Sequence, residues 1–283
     1  MKFSVIVPVY EHWHLVPTLL QCLTAQTLPR DEFEILLVDN GSSKFTPPDT
    51  LPPNARVLEC QTPGSYAARN AALREARGEW LAFTDADCRP TPTWLEQLQT
   101  AATNNTTLLA GAVDVVSDAE KPNAYEMYDM VKGIPQAWYV RRGYAATANL
   151  AVPRKIVEAL GGFDEKRFSG GDADFCLRAK AHGHQIIFLP DALVRHPARN
   201  SWNAIATKAR RLKDGQLRQG TIRTRLIWYL RTPLPPVRQI VTFLCRQYHP
   251  PKYRVTAALV QLRVWGLELG GLYRLFSRAQ ERH

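Results

Sequence analysis

Trp80-Leu-Ala-Phe-Thr-Asp-Ala-Asp87 is the stretch on which the fold class turns. Four apolar residues run straight into a polar turn that carries two carboxylates. A short continuous apolar run of this kind is a strand covered on both faces. Polar side chains just beyond its carboxyl end stand where open α/β sheets keep their ligands. The same unit recurs toward the N-terminus. Phe3-Ser-Val-Ile-Val-Pro8 is rich in β-branched residues and ends at a proline, and Glu34-Ile-Leu-Leu-Val38 runs into the turn Asp39-Asn-Gly-Ser-Ser43. Arg56–Cys60 reads as another strand. Leu15–Ala25 has helical spacing, with Pro17 tolerated in its first turn, and Ser65–Ala76 is an alanine-rich helix. This alternation predicts a parallel α/β sheet covered by helices on both faces.

Downstream, residues 104–153 are expected to add strands that build a second half of the site. Arg154–Leu160 reads as a helix, Gly161–Glu165 as a loop, Asp172–His182 as a helix and Gln185–Leu189 as a short strand. Past His196 the texture changes to arginine-rich helical stretches broken by Pro233, Pro235, Pro236, Pro250 and Pro251.

With 283 residues and 45% hydrophobic content, the chain can bury one large core with a smaller appended domain. A charged fraction of 22% with abundant aromatics excludes a disordered chain. Met1–Pro8 reads as a strand and not as a secretory signal. The five scattered cysteines form neither a disulfide framework nor a CxxC knuckle, which suits a reducing cytoplasm. Charge is divided unevenly. Residues 199–283 hold 17 Lys and Arg against 3 Asp and Glu, whereas residues 1–198 hold 19 against 23. The split predicts an acidic catalytic body over 1–200 and a basic helical region over 201–283 that meets an anionic partner.

Asp85 and Asp87 suit a divalent cation that neutralises a diphosphate, with one carboxylate for the metal and one for a ribose. An exposed Asp-rich turn would look the same in sequence. Gly170-Gly-Asp-Ala-Asp174 is a second acidic cluster at a helix start, fit either for a general base or for a helix cap.

The ordered segments Ser4-Val-Ile-Val-Pro-Val-Tyr10, Val38-Asp-Asn-Gly-Ser42, Ala68-Arg-Asn70, Asp85-Ala-Asp87, Gly161-Gly-Phe-Asp-Glu165 and Gly171-Asp-Ala-Asp174 together resemble the family 2 glycosyltransferases. The resemblance spans about residues 3–197. It implies the GT-A fold, a Rossmann-like mixed sheet flanked by helices, and inverting transfer from a UDP, dTDP or GDP sugar to a glycan or lipid-linked acceptor. It further implies that Pro8 and Tyr10 line the nucleotide pocket, that Asp39 bonds the base, and that Arg69 sits near the base or diphosphate. Asp85 would face the ribose and Asp87 would bind Mn2+ or Mg2+. Asp172 would be the base that deprotonates the acceptor hydroxyl, with Asp174 as its structural neighbour. The family usually reads Glu-Asp here, and Gly171 stands in place of the Glu. His196, after a strand and a short loop, matches a late metal-binding histidine, and an imidazole ligand tilts the preference to Mn2+. Asn149 falls where related enzymes contact the donor sugar or acceptor, and Asp174 is a further candidate for sugar contact. Trp138 and Tyr139 could stack on a sugar ring, although aromatics in such a stretch are as often core.

Val255–Phe276 is apolar, but Arg263, Glu268 and Arg274 interrupt it, so a membrane span is too expensive. Lys252, Arg263, Arg274 and Arg278 share a stripe roughly 80° wide. That pattern fits a helix lying in an anionic membrane interface, or equally a core-packed helix with one solvated stripe. Lys208-Ala-Arg-Arg-Leu-Lys213 lacks the interleaved aromatics of a nucleic-acid surface. The expected setting is peripheral, on the cytoplasmic face of a membrane. A nucleotidyltransferase would need a glycine-rich basic loop where Pro8-Val-Tyr-Glu11 stands. A degenerate scaffold has no reason to keep Asp39, Asp85, Asp87 and Asp172.

Overall fold

The structure is a computed structural model that describes residues 1–167, 169–218 and 221–280, with backbone alone at Arg218 and 273–280. The chain divides into two compact units. The first comprises Met1–Asp114 and Ile134–His196, and the second Val115–Gly133 and Pro197–His283. Val115–Gly133 thus groups with the C-terminal part rather than with the strands that flank it in sequence.

Elements follow in the order β1 (Phe3–Val9), α1 (Val16–Thr24), β2 (Phe33–Asp39), β3 (Ala55–Glu59), α2 (Ser65–Glu75), β4 (Trp80–Phe83), β5 (Arg89–Pro90), α3 (Trp94–Ala101) and β6 (Thr107–Val116). Then come α4 (Ala124–Lys132), α5 (Gln136–Arg141), β7 (Leu150–Pro153), α6 (Arg154–Leu160), α7 (Gly171–Ala181) and β8 (Gln185–Pro197). Four helices close the chain: α8 (Trp202–Arg218), α9 (Ile222–Arg231), α10 (Val237–Leu244) and α11 (Pro251–Gln280).

The sheet order is β3-β2-β1-β4-β7-β6-β8-β5. Alternate residues of each central strand enter different cores, as the two-residue period of a strand requires. Phe3, Val5, Val7, Ile35, Leu37 and Trp80 pack on one face, with Leu19 and Leu23 of α1 and Leu98 of α3. Ile6, Leu36, Val38, Leu81 and Phe83 pack on the other, with Ala68 and Ala72 of α2 and Phe175 of α7. Alanines along α2 let that helix lie close against the strands.

Parallel pairing holds for β3-β2-β1-β4, and the remaining strands make the sheet mixed, as the resemblance implies. β7 runs antiparallel to β4 and to β6, and β5 antiparallel to β8. The last strand also continues through Pro190 to Pro197, well past the expected Leu189.

One buried side chain fastens the second half of the sheet. Asn149 Nδ2 donates to the carbonyls of Ala112 in β6 and Ala192 in β8, each at 2.8 Å. Its Oδ1 accepts from Trp94 Nε1 at 2.8 Å. A Cβ on Gly111 would stand 2.3 Å from Asn149 Nδ2, so glycine is what allows this approach.

The second unit is helical. Tyr128 and Val131 of α4 form its core with Ile205, Phe243, Val260 and Val264. Tyr128 Oη donates to Gln261 Oε1 at 2.9 Å, and Arg199 and Lys213 pair with Asp129 and Glu268. α11 is therefore a packing helix along Ala257, Val260, Gln261 and Val264. Lys252 and Arg263 of the expected basic stripe are exposed, while the side chains of Arg274 and Arg278 lie outside the described residues. Among the described residues no helix is long and apolar enough to cross a membrane.

Asn149→Leu should cost about 3 kcal/mol, because three buried polar partners lose their hydrogen bonds at once. Urea denaturation checks this through a lowered midpoint at unchanged slope.

Candidate active site

The site begins where β1 and β2 end. Their parallel register sets Pro8 beside Val38 and Val9 beside Asp39, so Tyr10 and Asp39 emerge from adjacent strands. Tyr10 is exposed and Pro8 half-buried, whereas Asp39 is buried. Trp13 Nε1 donates to one Asp39 oxygen at 2.7 Å, and the amides of Gly41 and Ser42 donate to the other at 3.0 and 3.1 Å. Burial pushes this carboxyl up, but donation from Ser42, Trp13 and Gly41 outweighs it and holds the group below the usual range. Asp39 is thus an ionised acceptor locked in an Asx-type turn. Asn40 extends the lock, donating to the carbonyls of Cys60 and Thr62 while accepting from the Gly64 amide just before α2.

Arg69 stands on the inner side of α2 with 2% of its surface exposed. It donates to Asp85 Oδ1 at 2.7 Å and to the Ser65 carbonyl at 3.3 Å, and its guanidinium lies 5.7 Å from the Tyr66 ring centre. Across the turn after β4, the ligand atoms of Asp85, Asp87 and Cys88 lie within 4.8 Å of one another. Cys88 is buried. Desolvation, reinforced by the charges of Asp85 and Asp87, lifts its thiol well above the usual value. His196 Nε2 comes within 3.5 Å of Asp87 Oδ2. His196 does not follow a loop as expected but lies within β8, where pairing of Arg195 with Arg89 brings it to the acidic turn. The Asp87 carboxylate and the His196 imidazole are donors that suit a hard to borderline divalent cation, with Asp85 close by.

Asp172 opens α7. Its Oδ1 accepts from the Ala173 amide at 3.0 Å and from the Tyr66 hydroxyl at 3.3 Å, and the Gly171 amide donates to that hydroxyl at 2.9 Å. Burial drives the Asp172 carboxyl above its ordinary value, against the Ala173 amide, Arg69 and Tyr66, which pull it down. Tyr66 itself is pushed up to about 12 by burial and then by Asp172, so it stays a hydroxyl donor. A Cβ on Gly171 would meet the Tyr66 ring at 2.7 Å. The ring therefore fills the space in which the expected glutamate would begin, which is the physical reason for glycine here.

Contacts therefore run from Asp172 through Tyr66 and Arg69 to Asp85, and on to Asp87 and His196. Three expected residues are engaged elsewhere. Asp174 is clamped between Arg167 at 2.9 Å and Arg178 at 3.0 Å. Asn149, expected at the donor sugar or acceptor, is fully buried and spends its amide on the sheet, a correction to that expectation. Trp138 is partly exposed, with Arg142 4.0 Å from its ring centre, an arrangement that already covers one face. Sequence reading missed Tyr66, Trp13, Asn40 and Glu11. Glu11 adopts φ 57°, rare for a side-chain-bearing residue, and its carboxylate accepts from the Ser43 amide at 2.7 Å.

Four parallel strands, a reversed β7 beside the fourth, and an acidic turn at the junction define a GT-A enzyme. The chain belongs to glycosyl transferase family 2, whose profile matches residues 4–161. It is a glycosyltransferase that draws on a nucleotide-sugar donor. It is 34% identical over 226 residues to glycosyltransferase AglE of Haloferax volcanii, covering 76% of this chain and 72% of that one. A pre-mycofactocin glycosyltransferase of Mycobacterium tuberculosis is 28% identical, over 58% of this chain but 37% of its own length. In fold, the chain is similar to Staphylococcus aureus TarS 1–349 in complex with UDP (TM-score 0.54, 18% identity, 96% and 92% of the two chains). It is also similar to the mannosyltransferase PcManGT of Pyrobaculum calidifontis in complex with GDP-Man and Mn2+ (TM-score 0.59, 21% identity, 94% and 86%).

Gly171→Ala should destabilise the chain by about 1–3 kcal/mol through overpacking against Tyr66. In a Tyr66→Ala background the same change should cost far less. A double-mutant cycle by urea denaturation measures this coupling.

Proposed function

We propose that the chain is an inverting, divalent-metal-dependent glycosyltransferase with Asp172 as general base, acting on a glycan or lipid-linked acceptor at the cytoplasmic face of a membrane. The observation that carries the reading is the shielded Asp172 carboxylate, held by Tyr66 one buried arginine away from the acidic turn. Asp39, with Pro8 and Tyr10 beside it, receives the nucleotide base. Asp85 meets the ribose, and Arg69 supplies fixed positive charge near the diphosphate. Asp87 and His196 would hold the cation, which would supply positive charge at the diphosphate. Mn2+ suits the imidazole better than Mg2+ does. The GDP-Man and Mn2+ named for PcManGT, and the UDP named for TarS, support a donor of this class.

In the reaction, Asp172 takes the proton of the acceptor hydroxyl as its oxygen bonds to the anomeric carbon. The bond from that carbon to the diphosphate oxygen breaks on the opposite face, and the nucleoside diphosphate leaves. A carboxyl raised by burial is a stronger base once ionised, which favours this proton transfer.

Asp172→Asn should lower turnover by about 10²–10⁴-fold with donor affinity kept. Because the base works ionised and its value is raised, kcat/KM should fall with acidification through a range above that of an ordinary carboxylate. Tyr66→Phe removes a donation that lowers this value, so the acid limb should move to higher pH. Asp174→Asn should leave the limb in place. A pH series of nucleotide release reads all three variants. If Asp174→Asn proved the crippled variant while Asp172→Asn stayed active, the assignment within this cluster would be wrong.

Metal dependence has its own readout. Mn2+ should strengthen binding of a nucleoside diphosphate in calorimetric titration, and Asp87→Ala should abolish that gain. Equal affinity with and without EDTA would end the metal reading.

A further inference from the structure

α9 is an amphipathic helix turned outward. None of its residues is buried, and Ile222, Leu226 and Leu230, one turn apart, are 83, 55 and 67% exposed. The spacing continues through exposed Leu234 into α10, where Val237, Val241 and Leu244 line one exposed face. Of the 18 exposed large apolar side chains among the described residues, eight lie between Ile222 and Leu244, against three on α11. The inner side of α9 makes polar contacts. Lys213 and Arg231 each lie 5.6 Å from the Trp228 ring centre, Arg225 donates to the Leu217 carbonyl, and Trp265 donates to the Thr232 carbonyl. Polar clamps thus fix the inner side and leave the apolar side to the outside. A contiguous apolar face of this kind on a folded chain marks an interaction surface.

Charge decides the occupant. From Gly215 to Leu267 the sequence has 9 Lys and Arg and no Asp or Glu. Arg223, Arg231 and Arg238 are interleaved with the exposed apolar residues and are themselves exposed. A second copy of this chain would bring like charges together across the contact, which opposes pairing. Nucleic acid would meet the arginines but give no return on the leucines and valines. An anionic bilayer satisfies both, taking apolar side chains at the depth of the acyl boundary and cations at its phosphates.

We infer that the exposed faces of α9 and α10, and not the packing helix α11, form the surface with which this chain enters an anionic membrane interface. The inference deepens the proposed membrane setting and rests on it for its biological use. The binding itself is measured without turnover.

The test is co-sedimentation of the 283-residue protein with vesicles of phosphatidylcholine alone or mixed with phosphatidylglycerol. The parent protein should bind the mixed vesicles far better than the neutral ones, and high salt should remove only part of the binding. The triple variant Leu226→Ser, Leu230→Ser, Val241→Ser should lose about tenfold in vesicle affinity, because the apolar contribution is deleted while every cation remains. All three positions are exposed, so its thermal melt should match the parent's. Leu259→Ser in α11 should bind like the parent. Equal vesicle binding by parent and triple variant would overturn the inference. So would binding abolished completely by salt and matched by polyphosphate, which would mean charge alone. A lipid-free oligomer dissolved by the triple variant, with vesicle binding kept, would instead assign the face to protein contact and overturn it too. Nucleoside diphosphate affinity, measured in parallel, reports a failure of the catalytic reading independently of the vesicle result.

Discussion

Arg69 is the charge around which the site is assembled. A guanidinium with 2% exposure is tolerable only if its charge is met where it lies. Asp85 meets it at 2.7 Å, which ties α2 to the turn after β4. The same guanidinium borders the Tyr66 ring, and the Tyr66 hydroxyl reaches Asp172. One buried cation therefore connects the elements that would hold a donor to the carboxylate that would activate an acceptor. Its Nε is buried with no hydrogen-bond partner, so the charge is only partly satisfied within the protein.

The rest of the site is a problem of accumulated negative charge. Asp39, Asp85, Asp87 and Asp172 all gather at the ends of elements in the first unit, and each is kept from its neighbours differently. Asp39 is stabilised as an anion by three N–H donors. Asp85 has Arg69, and Asp87 has His196. Asp172 lies beside Tyr66, Tyr144 and Cys176, and desolvation there raises its carboxyl above the ordinary value. Asp39 and Asp172 are pushed in opposite directions by their surroundings, which is how like groups in one site become suited to different work.

The parallel half of the sheet was legible because strands buried on both faces are written as unbroken apolar runs, as in Phe3–Val9 and Phe33–Asp39. The acidic turn was legible because Asp85 and Asp87 are neighbours in sequence. Strand direction was not, since nothing local in Leu150–Pro153 records that it runs against β4. Nor could Tyr66 be found, because its partner lies 106 residues away. The only trace was Gly171 in place of the expected glutamate, a missing side chain whose cause is the Tyr66 ring. Asn149 misled because a polar residue in a small-residue stretch carries no mark of whether it bonds a ligand or two strands. In the second unit, helical periodicity located apolar faces but could not say which face packs on protein. α11 turned out to pack on α4, and α9 to face outward.

The central claim is direct displacement at the anomeric carbon by a hydroxyl that Asp172 deprotonates. The most direct measurement is proton NMR of the first-formed product from a sugar nucleotide of known anomeric configuration. The coupling at the anomeric proton is followed before any mutarotation. The account predicts a product of opposite anomeric configuration to the donor. A product that keeps the donor's configuration would contradict it.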